Sequence, residues 1–200
     1  MKYFVRLNEP EFLSQNAARW NQQWASLKAR NPGATFQWYR HGGQPVNQFL
    51  LPVLATQTQQ HCSYCDAFPP HLADETIDHF HPKGSPAFYD QAYAWSNLYY
   101  ACGHCQKAKM EDFSEDLLWP DAVDYSFERY FIYNYAFHEI TPNPDASESE
   151  QSRAKTTIDI FQFNHPGQVI SRRHAWERWN GNLEGERFIE DFNFRFILMC

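Results

Sequence analysis

"CSYCDAFPPHLADETIDHFHPKG" (residues 62–84) and "WSNLYYACGHCQKAK" (95–109) hold most of the unusual chemistry of a 200-residue chain. Four of the five cysteines fall in two CxxC pairs, Cys62/Cys65 and Cys102/Cys105. Each pair suits a tight knuckle that offers two thiolates to one tetrahedral ion. Two such pairs at separated positions in a reducing compartment are a strong zinc signal. A site with four cysteine ligands is closed, so this zinc would hold structure rather than react. The competing readings are buried unligated thiols or a redox CxxC. A redox pair needs only one CxxC within a βαβ setting, and the chain offers none. Cys200 is left over and reads as an incidental terminal thiol.

Between the knuckles, residues 75–81 suit a strand and Gly84 to Asp90 a loop. A returning strand then leads into "CQKAKMEDF", which can start a helix. Neighbouring strand residues point to opposite faces, so Asp78 and His79 are expected to do different work. One can ligand a metal while the other acts as a base towards a substrate. A histidine with an ordinary pKa of about 6.5 is suited to take a proton from water near neutral pH. His81 is expected on the same strand face as His79, where it contacts phosphate, binds metal or simply packs. His41, His61, His71, His138, His165 and His174 have no companion at ligand spacing and read as surface or satisfied core residues. Trp20, Trp24, Trp95, Tyr99 and Tyr100 read as core before base-stacking platforms.

Composition bounds the rest. At 43% apolar and 18% aromatic, the chain suits one domain with a ring-rich core. No stretch approaches the roughly 20 apolar residues of a membrane span. "MKYFVRLNEPEF" lacks the apolar run and cleavage site of a secretory signal, so the expected compartment is the cytoplasm. The net charge of −7 is uneven: residues 1–60 carry +4, 61–110 −2, 111–150 −10 and 151–200 +1. The acidic segment reads as a solvated face, and the N-terminal part remains a possible phosphate-facing surface.

Along the chain, Tyr3 to Leu7 reads as a short strand. Pro10 opens a helix with Leu13, Ala17, Trp20, Trp24 and Leu27 at helical spacing, ended by "NPG" at 31–33. Residues 46–58 read as a helix interrupted or kinked by Pro52. "NPDASESEQS" (143–152) reads as a polar loop. "AKTTIDIFQFNHPG" ends one helix before another begins near Gln168. The final "RFIEDFNFRFILMC" reads as a core or docking element. The expected fold is α+β. A small zinc-clamped core (61–112) sits in a mainly helical single domain, between an N-terminal helical part (1–60) and a C-terminal helical, aromatic part (113–200).

The run "CSYC … TIDHFHPKG … WSNLYYACGHCQKAK" resembles the HNH, or ββα-metal, endonucleases in their zinc-clamped form. The likeness is greatest to the PtuB family, the HNH nuclease subunits of Septu and retron-associated anti-phage systems. "LLWPDAVDYSFERYFIY" and "TTIDIFQFNHPGQVISRR" are similar to later segments of that family. The resemblance implies a small ββα-metal core and a metal-dependent endonuclease that hydrolyses phosphodiester bonds, with DNA favoured over RNA such as tRNA. It makes His79 the general base, Asn97 the residue bracing the catalytic loop, and Asp78 a ligand to a catalytic Mg²⁺ or Mn²⁺. Gln106 stands where the family usually has Asn or His as the second protein ligand, and its extra methylene changes the reach. His104 is a fallback ligand. Lys83 and Lys109, with His81 beside them, match positions that could face phosphate. The implied partner is an ABC/SMC-like ATPase (PtuA-like), which would bring the nucleic acid and use the apolar surface of Phe188 to Ile197. A non-catalytic zinc-binding assembly subunit remains the alternative.

Overall fold

A computed structural model describes residues 1–68, 75–181 and 188–198. His71 and Cys200 lie outside them. The centre of the fold is an antiparallel pair, β3 (Glu75–His79) and β4 (Leu98–Cys102), in the register Glu75↔Cys102 to His79↔Leu98. The strand ends at His79, two residues earlier than expected, so the alternation of faces does not extend to His81. β4 runs into a helix, α4 (Gly103–Lys109).

All five residues of β4 are buried, which requires both faces of the hairpin to be covered. Side-chain alternation divides the first four between two apolar clusters, and Cys102, at the strand end, turns to the cluster of the other cysteines. Phe80, Tyr99 and Ala101 join the four knuckle cysteines, Leu117, Tyr130, Phe161 and Phe163. Ile77, Leu98 and Tyr100 join Trp20, Trp24, Leu50, Leu54 and Tyr93. The hairpin is therefore the partition between two ring-rich cores, and both faces of Asp78-His79 lie inside the molecule.

The second cluster is closed by the N-terminal helices. The helix expected from Pro10 is broken at Gln15-Asn16 into α1 (Glu11–Ser14) and α2 (Ala17–Arg30). Leu13, Trp20 and Trp24 still face inward, whereas Leu27 stays at the edge. α2 stops at Asn31, whose neighbour Pro32 disfavours the helical conformation before it. A two-residue hairpin, β1 (Arg40–His41) with β2 (Gln44–Pro45), leads into α3 (Asn47–Gln57), which runs through Pro52.

The first cluster is closed by α5 (Phe127–Tyr130), the pair β5 (Phe131–Asn134) and β6 (Glu139–Pro142), α6 (Glu148–Phe161) and α7 (Pro166–Gly181). Two expectations are corrected here. Tyr3 to Leu7 is not a strand, because side chains take its polar groups and anchor it. Leu7 N–H donates to Gln57 Oε1, and the Arg6 guanidinium donates to the carbonyls of Trp95 and Leu98 and pairs with Asp121 at 2.6 Å. Residues 148–152 are helix rather than loop. Ser147 and Glu150 form a reciprocal capping box that starts α6. That signal is present in the sequence as S-x-x-E but is masked by the polar composition around it.

The C-terminal apolar stretch forms two 3₁₀ turns, Ile189–Asp191 and Arg195–Ile197. Phe192, Phe194, Phe196 and Ile197 are buried, and Phe196 stacks on Phe127 at 4.6 Å. This stretch is core, so it does not supply the docking surface expected from Phe188 to Ile197. Of the six apolar residues from Phe188 to Ile197, Ile189 is half-buried and Phe188 alone is exposed, at 59%. No helix of the described residues is long and apolar enough to cross a membrane.

Candidate functional site

The two knuckles converge. Ligand atoms of Cys62, Cys65, Cys102 and Cys105 all lie within 4.8 Å of one another, and all four residues are buried. Cys65 Sγ and Cys102 Sγ are 3.6 Å apart, far beyond the ~2.0 Å of a disulfide. A tetrahedral zinc with Zn–S bonds of about 2.3 Å holds its sulfurs roughly 3.8 Å apart, so the donor set fits such an ion. Among the described residues this is the one cluster of three or more metal-ligating side chains.

The first knuckle is fixed from two sides. Ser63 N–H donates to Tyr100 O, tying it to β4. Asp66, with a left-handed φ of 60°, turns the chain and pairs with Arg195 at 2.6 Å. Both partners of that ion pair are buried. Arg195 also donates to Thr58 O, and Phe194 N–H donates to Asp66 O. The C-terminal segment therefore serves as a clamp on the four-cysteine cluster.

Beside this centre, between β3 and α4, lies an open cleft of about 270 Å³ lined by Asp78, His79, Lys83, Gln106, Lys107 and Glu111 among others. His79 Nε2 lies 3.0 Å from Ala92 O. A carbonyl only accepts, so the proton sits on Nε2 and Nδ1 carries the free lone pair. The ring stacks on Trp38 at 5.3 Å and meets Phe36 edge-on. Burial, with Lys83 nearby adding positive charge, holds the His79 pKa well below its usual value. The imidazole is therefore neutral at pH 7, with its Nδ1 lone pair unprotonated.

Asp78 is buried on the opposite face of the strand. Its Oδ2 accepts from Tyr64 Oη at 2.8 Å and lies 3.3 Å from Lys109 Nζ. Its Oδ1 takes part in neither contact. Burial raises the Asp78 pKa, and Lys109 and Tyr64 act against that rise. Gln106, in the first turn of α4, is half-buried and lines the same cleft. Lys83 is half-exposed, 3.7 Å from Glu111, with its ammonium 5.6 Å over the Phe36 ring.

Other expected residues lie elsewhere. Lys109 is fully buried and donates to His79 O at 2.7 Å, so its ammonium is turned inward and does not face phosphate. A charge on the last turn of α4 is drawn to the Asp78 carboxylate behind the hairpin. His81 stacks on Phe88 at 4.4 Å, meets Phe113 edge-on, and pairs through Nδ1 with Gln91 Oε1. These contacts are those of the packing role. The His104 ring lies toward His165, at 5.5 Å, and is not among the cleft's lining residues. Asn97, 1% exposed, accepts from His81 N–H and donates to the carbonyls of His81 and Gln91. It braces both ends of the 81–91 loop.

Four participants escaped the sequence reading: Phe36 and Trp38 against His79, Tyr64 on Asp78, and Arg195 on Asp66. The tyrosine is visible as the third residue of "CSYC", but nothing local says where its hydroxyl points.

Fold and site together define a mixed helix and small-sheet protein with a buried four-cysteine centre able to bind a metal such as zinc. Neither a scan against protein-family models nor a search of the curated proteins finds a match for this chain.

Proposed function

We propose that this protein is a metal-dependent endonuclease of the HNH, ββα-metal type, hydrolysing phosphodiester bonds of nucleic acid, with DNA the favoured target. The observation that supports it most is His79, a neutral imidazole with its proton held on Nε2 by Ala92 O and its cleft shared with Asp78, Gln106 and Lys83. In this reading His79 Nδ1 takes the proton of the attacking water. Asn97 holds the 81–91 loop, and Ala92 fixes the tautomer. Lys83 offsets phosphate charge at the cleft edge.

The residues fit a hard divalent ion: Asp78 Oδ1 and the Gln106 amide oxygen are oxygen donors on residues lining one cleft, and solvent can complete the shell. When bound there, Mg²⁺ or Mn²⁺ would stabilise charge on the phosphoryl and leaving oxygens. Gln106→Ala is expected to raise the Mg²⁺ concentration for half-maximal rate by at least roughly tenfold, the loss seen for even outer partners of a metal. Gln106→Asn shortens the reach and is expected to alter the Mg²⁺/Mn²⁺ preference. A metal titration and rate left unaltered by Gln106→Ala would remove it from the site.

An ATPase partner and a role in anti-phage defence rest on the sequence resemblance. The charge distribution supports assistance of some kind, since the −10 of residues 111–150 follows directly on α4 and repels a polyanion. The engagement of Asp78 Oδ2 by Tyr64 and Lys109 favours the second reading, a non-catalytic zinc-binding assembly subunit. A cleavage assay on phage DNA and host RNA, with Mg²⁺, at fixed salt and with and without an ABC/SMC-like ATPase, separates the two. Cleavage that requires Mg²⁺ is the expected result; none under any condition would defeat the endonuclease.

A further inference from the structure

A second cavity, of about 160 Å³, opens on the other side of His79. It shares Ile77, His79, Lys83 and Gln106 with the cleft described above. Its remaining walls differ in kind. Phe36 and Trp38 stand at one side and Leu51 of α3 at another. Phe36 and Trp38 meet edge to face at 83°, with centroids 5.1 Å apart, and both are only half-buried. The polar lining is acceptor-rich. Asn47 Oδ1 is buried without a hydrogen-bond partner, and Glu75 and Thr76 lie on the same wall. A buried amide oxygen left unpaired carries a desolvation penalty that a donor in the cavity would relieve.

Two aromatic rings, an apolar floor and an unanswered acceptor beside a histidine and a lysine match the chemistry of one nucleotide. We propose that this cavity is a nucleobase subsite, which holds the unpaired base next to the phosphate that lies at His79 and Lys83. The inference rests on the endonuclease reading and adds its substrate class. The base stacks on Trp38 and meets Phe36 edge-on, since the two rings stand at 83°, and a turn of the Asn47 side chain brings its unpartnered Oδ1 to an N–H of the base edge. A cavity of this size takes one planar ring system, not a base pair. The preferred substrate is therefore a single strand, or a duplex whose nucleotide has been extruded.

The test is binding without cleavage. The full chain, with no Mg²⁺ added, is titrated against a short fluorescent single strand and against its duplex, and anisotropy is read at fixed salt. The single strand is expected to bind more tightly than the duplex. Trp38→Ala is expected to weaken single-strand binding about tenfold, within the range for losing one stacked base. Trp38→Phe keeps a ring and is expected to restore most of that loss. Asn47→Ala removes the acceptor without touching the Trp38–His79 stack and is expected to weaken binding severalfold. Equal affinity for duplex and single strand, or single-strand affinity unchanged in both Trp38→Ala and Asn47→Ala, would overturn the subsite. A protein that binds single strands through Trp38 yet never cuts would instead overturn the endonuclease and uphold the subsite.

Discussion

Changing Cys62 or Cys105 to serine, or stripping the bound metal with a strong chelator, is expected to unfold the segment from the first knuckle through α4. The four sulfurs form one buried cluster, with Cys105 fully enclosed, and they are part of the same apolar cluster as Tyr64, Tyr99 and Phe161. Without an ion, four thiols are held together in an interior that gives them only each other as partners. Structural zinc in small domains contributes about 10–16 kcal/mol of apparent binding free energy at neutral pH. A whole domain is stable by only about 5–15 kcal/mol, so loss of the metal removes a quantity comparable to the total. The effect should spread beyond residues 62–109. The knuckle also holds the C-terminal turn through Asp66 and Arg195, and breaking a buried pair of that kind adds about 3–5 kcal/mol. Elemental analysis together with thermal unfolding followed by circular dichroism measures this. Folded protein that contains no zinc, with an unshifted midpoint on chelation, would refute the assignment.

The second large effect is on chemistry. His79→Ala is expected to lower the cleavage rate by about 10²–10⁴-fold, the usual contribution of a positioned general base. The residue also packs, since its ring stacks on Trp38 and meets Phe36 edge-on, so alanine leaves a gap behind the hairpin. His79→Gln is the better control, because it refills most of the volume and supplies no comparable base. Both variants should retain zinc and wild-type secondary structure while cleavage is lost. The pH profile carries a further sign. A histidine whose folded pKa is lowered stays unprotonated further into acid, so its basic form should persist below the ordinary value of about 6.5. Unimpaired cleavage by His79→Gln at every pH would remove His79 from the reaction and leave the zinc-binding assembly subunit as the better reading.

What the sequence determined by itself was local. The CxxC spacing brings two thiols to one knuckle within four residues, and strand alternation sends Asp78 and His79 to opposite faces wherever the strand is buried. The order strand, loop, strand, helix follows from the same short-range pattern, and Trp20 and Trp24 announce the inner face of α2 by their spacing. Only the tertiary structure decided what meets these residues. Arg195 reaches Asp66 across 129 positions of sequence, and Trp95 Nε1 donates to Leu7 O across 88. Lys109 looks like a free cation at the end of a short helix. It turns inward because the Asp78 carboxylate, buried 31 positions earlier, needs a counter-charge that water cannot supply there. Phe36 and Trp38 look like unremarkable rings in a loop, yet they become the wall of a cavity once α3 closes over β3. Spacing encodes which groups share a turn or a face, whereas burial, which fixes their partners and their charge, is set by distant chain packed over them.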